Sequence, residues 1–155
     1  MKTFFLYSLF SFLFIGLFSV EVISHSGTSN EIVKARMASM KVIAANMKSL
    51  SKISRGRDPF DINEVKNILS EIEINAGQTP MLFEVNATDP TSEAASEIWE
   101  NFQDFSDKAF ALESTAKSLI SAVESVDDLA IAVQSLGSTC KSCHSKYRNW
   151  DIFEF

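Results

Sequence analysis

Five consecutive residues near the end of the chain have the types and spacing of a covalent haem attachment site. Two residues separate Cys140 from Cys143, and His144 follows at once. In this pattern each thiol can form a thioether with one vinyl group of a porphyrin, and the adjacent imidazole can bind the iron as proximal ligand. On a helix the two cysteines share one face, and His144 lies one turn above Cys140. The motif therefore predicts a single covalently attached haem c, with His144 on its iron.

Three other interpretations of the cysteine pair stay open at this point. A thioredoxin-like redox pair normally lies near a βαβ pattern, which the sequence lacks. A zinc site needs about four ligands, whereas the chain has only 2 Cys and 2 His. A structural disulfide with an incidental histidine is the third. Each of these would leave a haem-free helical bundle.

Composition and charge limit the class of protein. At 155 residues the chain is long enough for one domain and a short appendage. The hydrophobic fraction of 46%, with 5 Gly and 3 Pro, favours a helical globule. The net charge of −6 argues against nucleic acid as a partner. It is compatible with a basic protein partner, or simply with a solvated acidic surface.

The first 24 residues differ from the rest. Lys2 precedes an almost wholly apolar run from residue 4 to 20, and Val22 and Ser24 suit the −3 and −1 positions of a cleavage site. This pattern predicts a secretory signal peptide over residues 1–24. Because the apolar run is long, the alternative is an uncleaved membrane anchor, which would be the only membrane contact. Either way, residues 25–155 are expected to form an exported, periplasmic domain, which agrees with haem attachment after export.

Apolar residues recur at alternating steps of three and four, which predicts four amphipathic helices. The first covers about residues 30–53, and the second starts after an Asp61 N-cap and ends before Gly77 at C′. A connector of residues 78–92 precedes a third helix over residues 93–124. The fourth starts at Ser125, and its apolar stripe contains both attachment cysteines. The sequence thus predicts an all-α, antiparallel four-helix bundle with the haem held inside it near the C-terminus.

Arg36 interrupts the apolar stripe of the first helix. A cation on a buried face costs several kcal/mol unless an anionic group pairs with it. A haem propionate is such a group, so Arg36 is a candidate propionate ligand. The alternative is an arginine whose head reaches solvent at the edge of the stripe.

Several motifs, in order along nearly the whole chain after residue 24, resemble those of the cytochrome c′ family, including its low-spin, Met-ligated relatives. The first helix has the spacing Arg36, Met40, Asn46, and the following loop is similar to the family's Gly-x-x-Pro-aromatic-Asp. The other matches are Glu97-Ile98-Trp99 and the C-terminal run from Gly137 to Arg148. The connector departs from the family at Glu84 and Ser96, where prolines are usual.

The resemblance implies roles for individual residues. His144 would be the proximal iron ligand, Arg148 would lie beside it, and Met40 would face the iron from the distal side. Family members with a ligating methionine there are six-coordinate electron carriers, whereas the others are five-coordinate and bind nitric oxide or carbon monoxide. Met37 and Met47 are weaker candidates for this position.

Counting histidines narrows the chemistry further. His25 lies at the signal boundary, so His144 is the one plausible imidazole ligand, and no second histidine is placed for peroxidase-type acid–base work. We therefore expect a non-enzymatic, exported electron carrier, with gas binding as the alternative. Its partners would be exported redox proteins or small gases, and a homodimer through the first two helices is common in the family.

Overall fold

The computed structural model describes residues 28–150, so the predicted signal peptide and His25 lie outside the described residues. Within that range the chain is an antiparallel four-helix bundle, as predicted, with a short additional helix just before the third long helix. In sequence order the helices are α1 Glu31–Ser54, α2 Ile62–Phe83, α3 Glu97–Glu100, α4 Phe102–Ala122 and α5 Val126–Tyr147. The four long helices form a ring, in which α1 packs on α2 and α5, and α4 packs on α2 and α5.

The first two helices begin where the sequence predicts. The Asn30 side chain accepts hydrogen bonds from the backbone N–H groups of Ile32 and Val33, and so satisfies two free donors at the start of α1. Asp61 does the same for Asn63 and Glu64 at the start of α2. The loop between the helices turns at Gly56, whose φ of +66° is a conformation that glycine adopts without steric cost.

The predicted end of α2 at Gly77 is wrong. The helix continues through Gly77 and Pro80 to Phe83. The reason is that its buried stripe does not stop at Ala76 but is extended by Thr79 and Phe83, at the same three–four spacing. Packing of these last turns outweighs the low helix propensity of Gly and Pro. The connector is correspondingly shorter and runs from residue 84 to 96 instead of 78 to 92.

The predicted third helix over residues 93–124 is also wrong at its start. Residues 93–96 are not helical; Ala94 instead forms an isolated antiparallel bridge with Arg148. The helix proper is interrupted at Asn101, with φ −130° and ψ 46°, between α3 and α4. Tertiary hydrogen bonds to the end of α5 therefore override the helical periodicity of this segment.

The last helix starts as predicted. Ser125 and Asp128 form a reciprocal capping box, in which the Ser125 side chain accepts from the Asp128 backbone and the Asp128 carboxylate accepts from the Ser125 backbone. The helix then runs without a break through the cysteine–histidine motif to Tyr147. All three motif residues therefore lie on regular helix, in the last two turns.

The core of the described residues has two parts. The larger part joins α1, α2, α4 and α5 through fully buried aliphatic side chains, among them Leu50, Leu69, Ile72, Leu129 and Leu136. The smaller part is mainly aromatic and consists of Phe83, Ile98, Phe105 and Tyr147. None of the helices within residues 28–150 is both long and apolar enough to span a membrane.

Candidate haem site

A cavity of about 670 Å³ opens beside the aromatic part of the core. Its walls come from α1, α5, the end of α2, the connector, α3 and the start of α4. Most of the lining is apolar or aromatic, and the charged side chains belong to Arg36, Lys41, Glu93 and Arg148. The remaining lining residues that matter for the chemistry are Met37, Met40, Met47, Phe83, Phe105, Gly137, Cys140, Cys143, His144 and Tyr147.

The last two turns of α5 place the haem motif in this cavity. Leu129, Ala132 and Leu136 are fully buried and hold the helix against the bundle. Continuing the same stripe brings Cys140, Cys143 and His144 onto the cavity wall, and all three are half-buried. The sequence prediction that the cysteines lie on the inner face of the last helix is thus confirmed.

The environment of the cysteines disfavours the haem-free interpretations. Burial raises the pKa of the Cys143 thiol to about 11, and burial also raises the pKa of Cys140. Redox-active pairs need the opposite shift, because the thiolate is the reactive form. The two cysteines are not joined by a disulfide. Within residues 28–150 no group of three or more His, Cys, Asp and Glu side chains is arranged to hold a metal ion, so a zinc site lacks its ligands.

The surroundings of His144 favour the neutral form of its imidazole. Burial lowers the pKa of this imidazole, the nearby Arg148 cation lowers it further, and Glu93 opposes them. The neutral imidazole that results is the form that binds metals. The ring of Trp150 lies edge-on to the His144 ring, with the centroids 6.4 Å apart.

Arg148 lies beside His144, as the resemblance implies, and contacts two other side chains there. Its Nη2 is 2.5 Å from Oε2 of Glu93, and its guanidinium lies 4.4 Å from the centroid of the Trp150 ring. Its Nε is buried and has no hydrogen-bond partner, the single such side-chain atom found among the described residues. A buried donor without a partner is costly, so a haem carboxylate or water in the cavity is the expected acceptor.

Met40 lines the cavity, and its position relative to the iron stays a prediction. α1 presents the thioethers of Met40, Met37 and Met47 along the cavity, and all three side chains are half-buried. A thioether is a soft ligand that haem iron accepts opposite histidine. Asn46, by contrast, donates from Nδ2 to Glu71 on α2 and is not part of the cavity wall.

Arg36 is buried, with 3% of its surface exposed, so the alternative of a solvent-reaching side chain is wrong. Its Nε donates to the Leu82 carbonyl at 2.9 Å and its Nη1 to the Ala87 carbonyl at 2.8 Å, and its Nη2 donates to the Val85 carbonyl. The guanidinium also stacks 4.6 Å from the centroid of the Phe83 ring. The carbonyl dipoles thus stabilise the buried cation, and the bonds tie the connector to α1. Binding of a propionate by the remaining N–H groups of Arg36 stays a prediction.

Tyr147 closes the aromatic end of the cavity. Its hydroxyl donates to Asp104 Oδ2 at 2.5 Å, and Lys146 Nζ donates to the same oxygen at 2.9 Å. These two hydrogen bonds, with that of Tyr147 foremost, lower the pKa of Asp104. The contacts join the end of α5 to the start of α4 and so keep the haem motif at a constant position in the bundle.

These features fit a covalently held haem. The cavity is large and mostly apolar, and both cysteines line it. It has a neutral imidazole at one side and the unpartnered Arg148 Nε as a donor for a carboxylate. At Gly137, a Cβ atom would meet no protein atom within 4 Å, so this glycine is not needed for helix packing and instead widens the cavity.

Sequence reasoning missed Glu93 and Trp150. Glu93 lies within the segment predicted to be helical, and nothing in its local sequence indicates an ion pair with a residue at the other end of the domain. Trp150 follows the motif closely, but its contact with His144 depends on how the chain leaves α5. Trp99, by contrast, donates its indole N–H to the Phe83 carbonyl at 2.8 Å and is not a lining residue.

Comparisons with known proteins identify the family and the fold. The family model described as Cytochrome C′ matches residues 31–148. A cytochrome c-556 of Agrobacterium tumefaciens (strain B2A) is 38% identical over 117 residues, which is 75% of this chain and 95% of that protein. The fold of cytochrome c′ from Rhodopseudomonas palustris superposes with a TM-score of 0.74 at 24% identity, covering 79% of this chain and 98% of that one. A nitric oxide complex of a mutant cytochrome c prime from Alcaligenes xylosoxidans gives a TM-score of 0.68 at 23% identity, with 77% and 94% covered.

Proposed function

The chain belongs to the cytochrome c′ family and binds haem c, and on this basis we propose that it is an exported electron-transfer cytochrome. Its iron would be held between His144 and Met40. When bound, the haem supplies a one-electron Fe(III)/Fe(II) couple. The protein's own residues attach the haem, exclude water from it and set its potential.

The observation that carries the proposal is a thioether at position 40 in the cavity that contains His144. Met40 is half-buried on the wall contributed by α1, the helix that packs directly on α5. Two other side chains of the wall that could bind iron are engaged elsewhere. Glu93 is paired with Arg148, and the Tyr147 hydroxyl is donated to Asp104. Methionine–histidine ligation raises the potential and leaves no open position on the iron, as an electron carrier requires.

Gas binding is the second candidate function. Three methionines line the cavity, and a flexible side chain at position 40 can crowd the iron without binding it. The iron would then be five-coordinate and would take up nitric oxide or carbon monoxide. A structural neighbour from Alcaligenes xylosoxidans has been solved as a nitric oxide complex. Neither function requires an acid–base residue beside the iron, so we propose no enzymatic activity.

We further propose an exported redox protein as partner and a homodimer as the resting assembly. Ile32 on α1 and Met81 on α2 are 39% and 62% exposed, and Val85 after α2 is 56% exposed. These side chains surround a shallow apolar depression on the outer face of the first two helices. Sedimentation equilibrium of the wild type and of Met81→Glu tests the dimer, which the added charge is expected to disrupt.

Absorption spectra of the purified holoprotein distinguish the two candidate functions. For Met40 ligation we expect a low-spin spectrum in both oxidation states and no rapid uptake of carbon monoxide by the reduced protein. Met40→Ala is expected to become high-spin and to bind carbon monoxide, whereas the matched variants Met37→Ala and Met47→Ala keep the wild-type spectrum.

Three other outcomes would each overturn a different part of this proposal, and the first of them favours gas binding. A high-spin wild type with fast carbon monoxide uptake overturns electron transfer through a six-coordinate iron. A low-spin spectrum that survives Met40→Ala but is lost in Met37→Ala or Met47→Ala assigns the ligand to a different methionine. A colourless protein, exported from a host that matures c-type cytochromes, would overturn haem attachment itself.

A further inference from the structure

The chain leaving α5 is fastened to the connector directly behind the haem motif. The Ala95 backbone N–H donates to the Tyr147 carbonyl at 3.1 Å, and the Asn149 N–H donates to the Glu93 carbonyl at 2.8 Å. Together with the bridge between Ala94 and Arg148, these bonds form a short two-stranded clasp. The clasp, residues 93–95 with residues 147–149, is therefore held by backbone groups whatever its side chains are.

Two opposite charges project from the clasp to the cavity wall. The carboxylate of Glu93 and the guanidinium of Arg148 both line the cavity that contains His144, and they are in direct contact at 2.5 Å. The side chains are only 31% and 35% exposed, so water screens them incompletely. The guanidinium also lies 4.4 Å from the centroid of the Trp150 ring.

A fixed charge beside a haem changes the relative free energies of its two oxidation states. A cation disfavours the ferric form, which carries one more positive charge, and so raises the reduction potential; an anion lowers it. Arg148 alone would thus make the iron easier to reduce. Glu93 offsets this effect, because its charge has the opposite sign and lies beside that of Arg148.

We propose that Glu93 is a positioning residue that sets the reduction potential of the haem iron, by holding Arg148 at the cavity wall and counterbalancing its charge. The backbone hydrogen bonds hold the clasp together, so the role of the side-chain pair is to adjust the reduction potential of the iron. The inference rests on the haem of the proposed function but not on the identity of the sixth ligand.

Potentiometric titration of the holoprotein, followed by absorbance, tests this role. At the wild-type midpoint, Glu93→Gln is expected to increase the ratio of reduced to oxidised protein at least threefold. For a one-electron couple, with about 59 mV per tenfold change, this is a rise of about 28 mV. Arg148→Gln should shift the ratio in the opposite direction, and the double variant should lie within twofold of the wild type.

Glu97→Gln is the matched control, since it removes the same charge four residues along from an exposed side chain that pairs with no cation among the described residues. It should leave the ratio within 1.5-fold of wild type. A Glu93→Gln shift no larger than that of Glu97→Gln overturns the proposal, as do shifts of the same sign in Glu93→Gln and Arg148→Gln.

The spectrum of each variant is recorded before titration. An unchanged spin state in Glu93→Gln supports an electrostatic role, whereas an altered spin state overturns it, because the side chain would then act on ligand geometry. A high-spin wild type would overturn the Met40 proposal and still leave the potentials measurable, so failures of the two proposals are distinguishable.

Discussion

Replacing Arg36 by methionine should destabilise the protein by about 3 kcal/mol. The side chain is buried, with 3% of the residue exposed, and its guanidinium donates to three carbonyls of residues 82–87. Hydrogen bonds to a charged group contribute roughly 1.5–3 kcal/mol each. Taking the low end for three bonds gives about 4.5 kcal/mol. In the variant, the carbonyl of the exposed residue Val85 can bind water instead, which recovers about 1.5 kcal/mol of this loss. The expected net loss of stability is therefore about 3 kcal/mol.

Methionine is chosen because it retains the contact with the aromatic rings. The stacking of Arg36 on Phe83 and Trp99 is exchanged for a sulfur–aromatic contact of similar strength, so the loss isolates the hydrogen bonds. Lys34→Met is the matched control, since Lys34 lies on the same helix but its side chain is 49% exposed and its ion pair is with Glu31, one turn away. It should change stability by less than about 0.5 kcal/mol.

Urea unfolding of the holoproteins, followed by circular dichroism, measures the effect. With a denaturant slope of about 1.5–2 kcal/mol/M, Arg36→Met should lower the midpoint by about 1.5–2 M. If Arg36→Met and Lys34→Met have the same midpoint, the carbonyl contacts contribute no net stability. The buried cation would then be only tolerated, and the inference that it fixes the connector would be refuted.

Three further predictions concern acid stability, packing and the haem cavity. Hydrogen bonds from Tyr147 and Lys146 lower the pKa of Asp104, so this carboxylate stabilises the fold above its ordinary pKa of about 4, and the benefit disappears as the pH falls through the lower folded value. Urea midpoints of wild type and Asp104→Asn should therefore differ at pH 7 and converge as the pH falls through that folded value, and a constant difference would contradict this. Leu69 is fully buried, so Leu69→Ala should lower the free energy of unfolding by about 3 kcal/mol in the same assay. Ile131 is 68% exposed, so Ile131→Ala should lower it by less than about 0.5 kcal/mol. Equal decreases would mean that the packing is misassigned. At position 137 a Cβ atom would meet no protein atom, so the leucine of Gly137→Leu would extend into the cavity. The ratio of Soret to protein absorbance should therefore be at least fivefold lower in Gly137→Leu than in Ser138→Leu. Equal haem contents would show that the macrocycle does not lie against position 137.

The sequence predicts correctly those features that depend on contacts between neighbours along the chain. Asn30, Asp61 and Ser125 cap their helices because each side chain needs only the N–H groups two or three residues ahead. The burial of the larger core follows from the helical repeat of apolar residues, which places Leu129 and Leu136 on the same face. Fold class could therefore be predicted.

The errors lie where distant segments meet. The sequence misplaces the end of α2 because Gly77 and Pro80 are weak helix formers, and the packing that keeps them helical comes from Thr79 and Phe83 against other helices. It starts the third helix too early because the competing hydrogen bonds of residues 93–95 come from the end of α5. Local propensity contains no information about either partner.

The candidate site shows the same contrast between features set by neighbouring residues and features set by distant ones. The chain by itself determined the haem chemistry, because the spacing of Cys140, Cys143 and His144 along one helix is a local property. Only the tertiary structure decided what surrounds that chemistry. Arg36 donates to one carbonyl at the end of α2 and to two of the connector. Arg148 contacts both Glu93 and Trp150. Such contacts join residues far apart in the chain, and they arise only when the packed helices bring the connector and the C-terminal segment to one cavity wall.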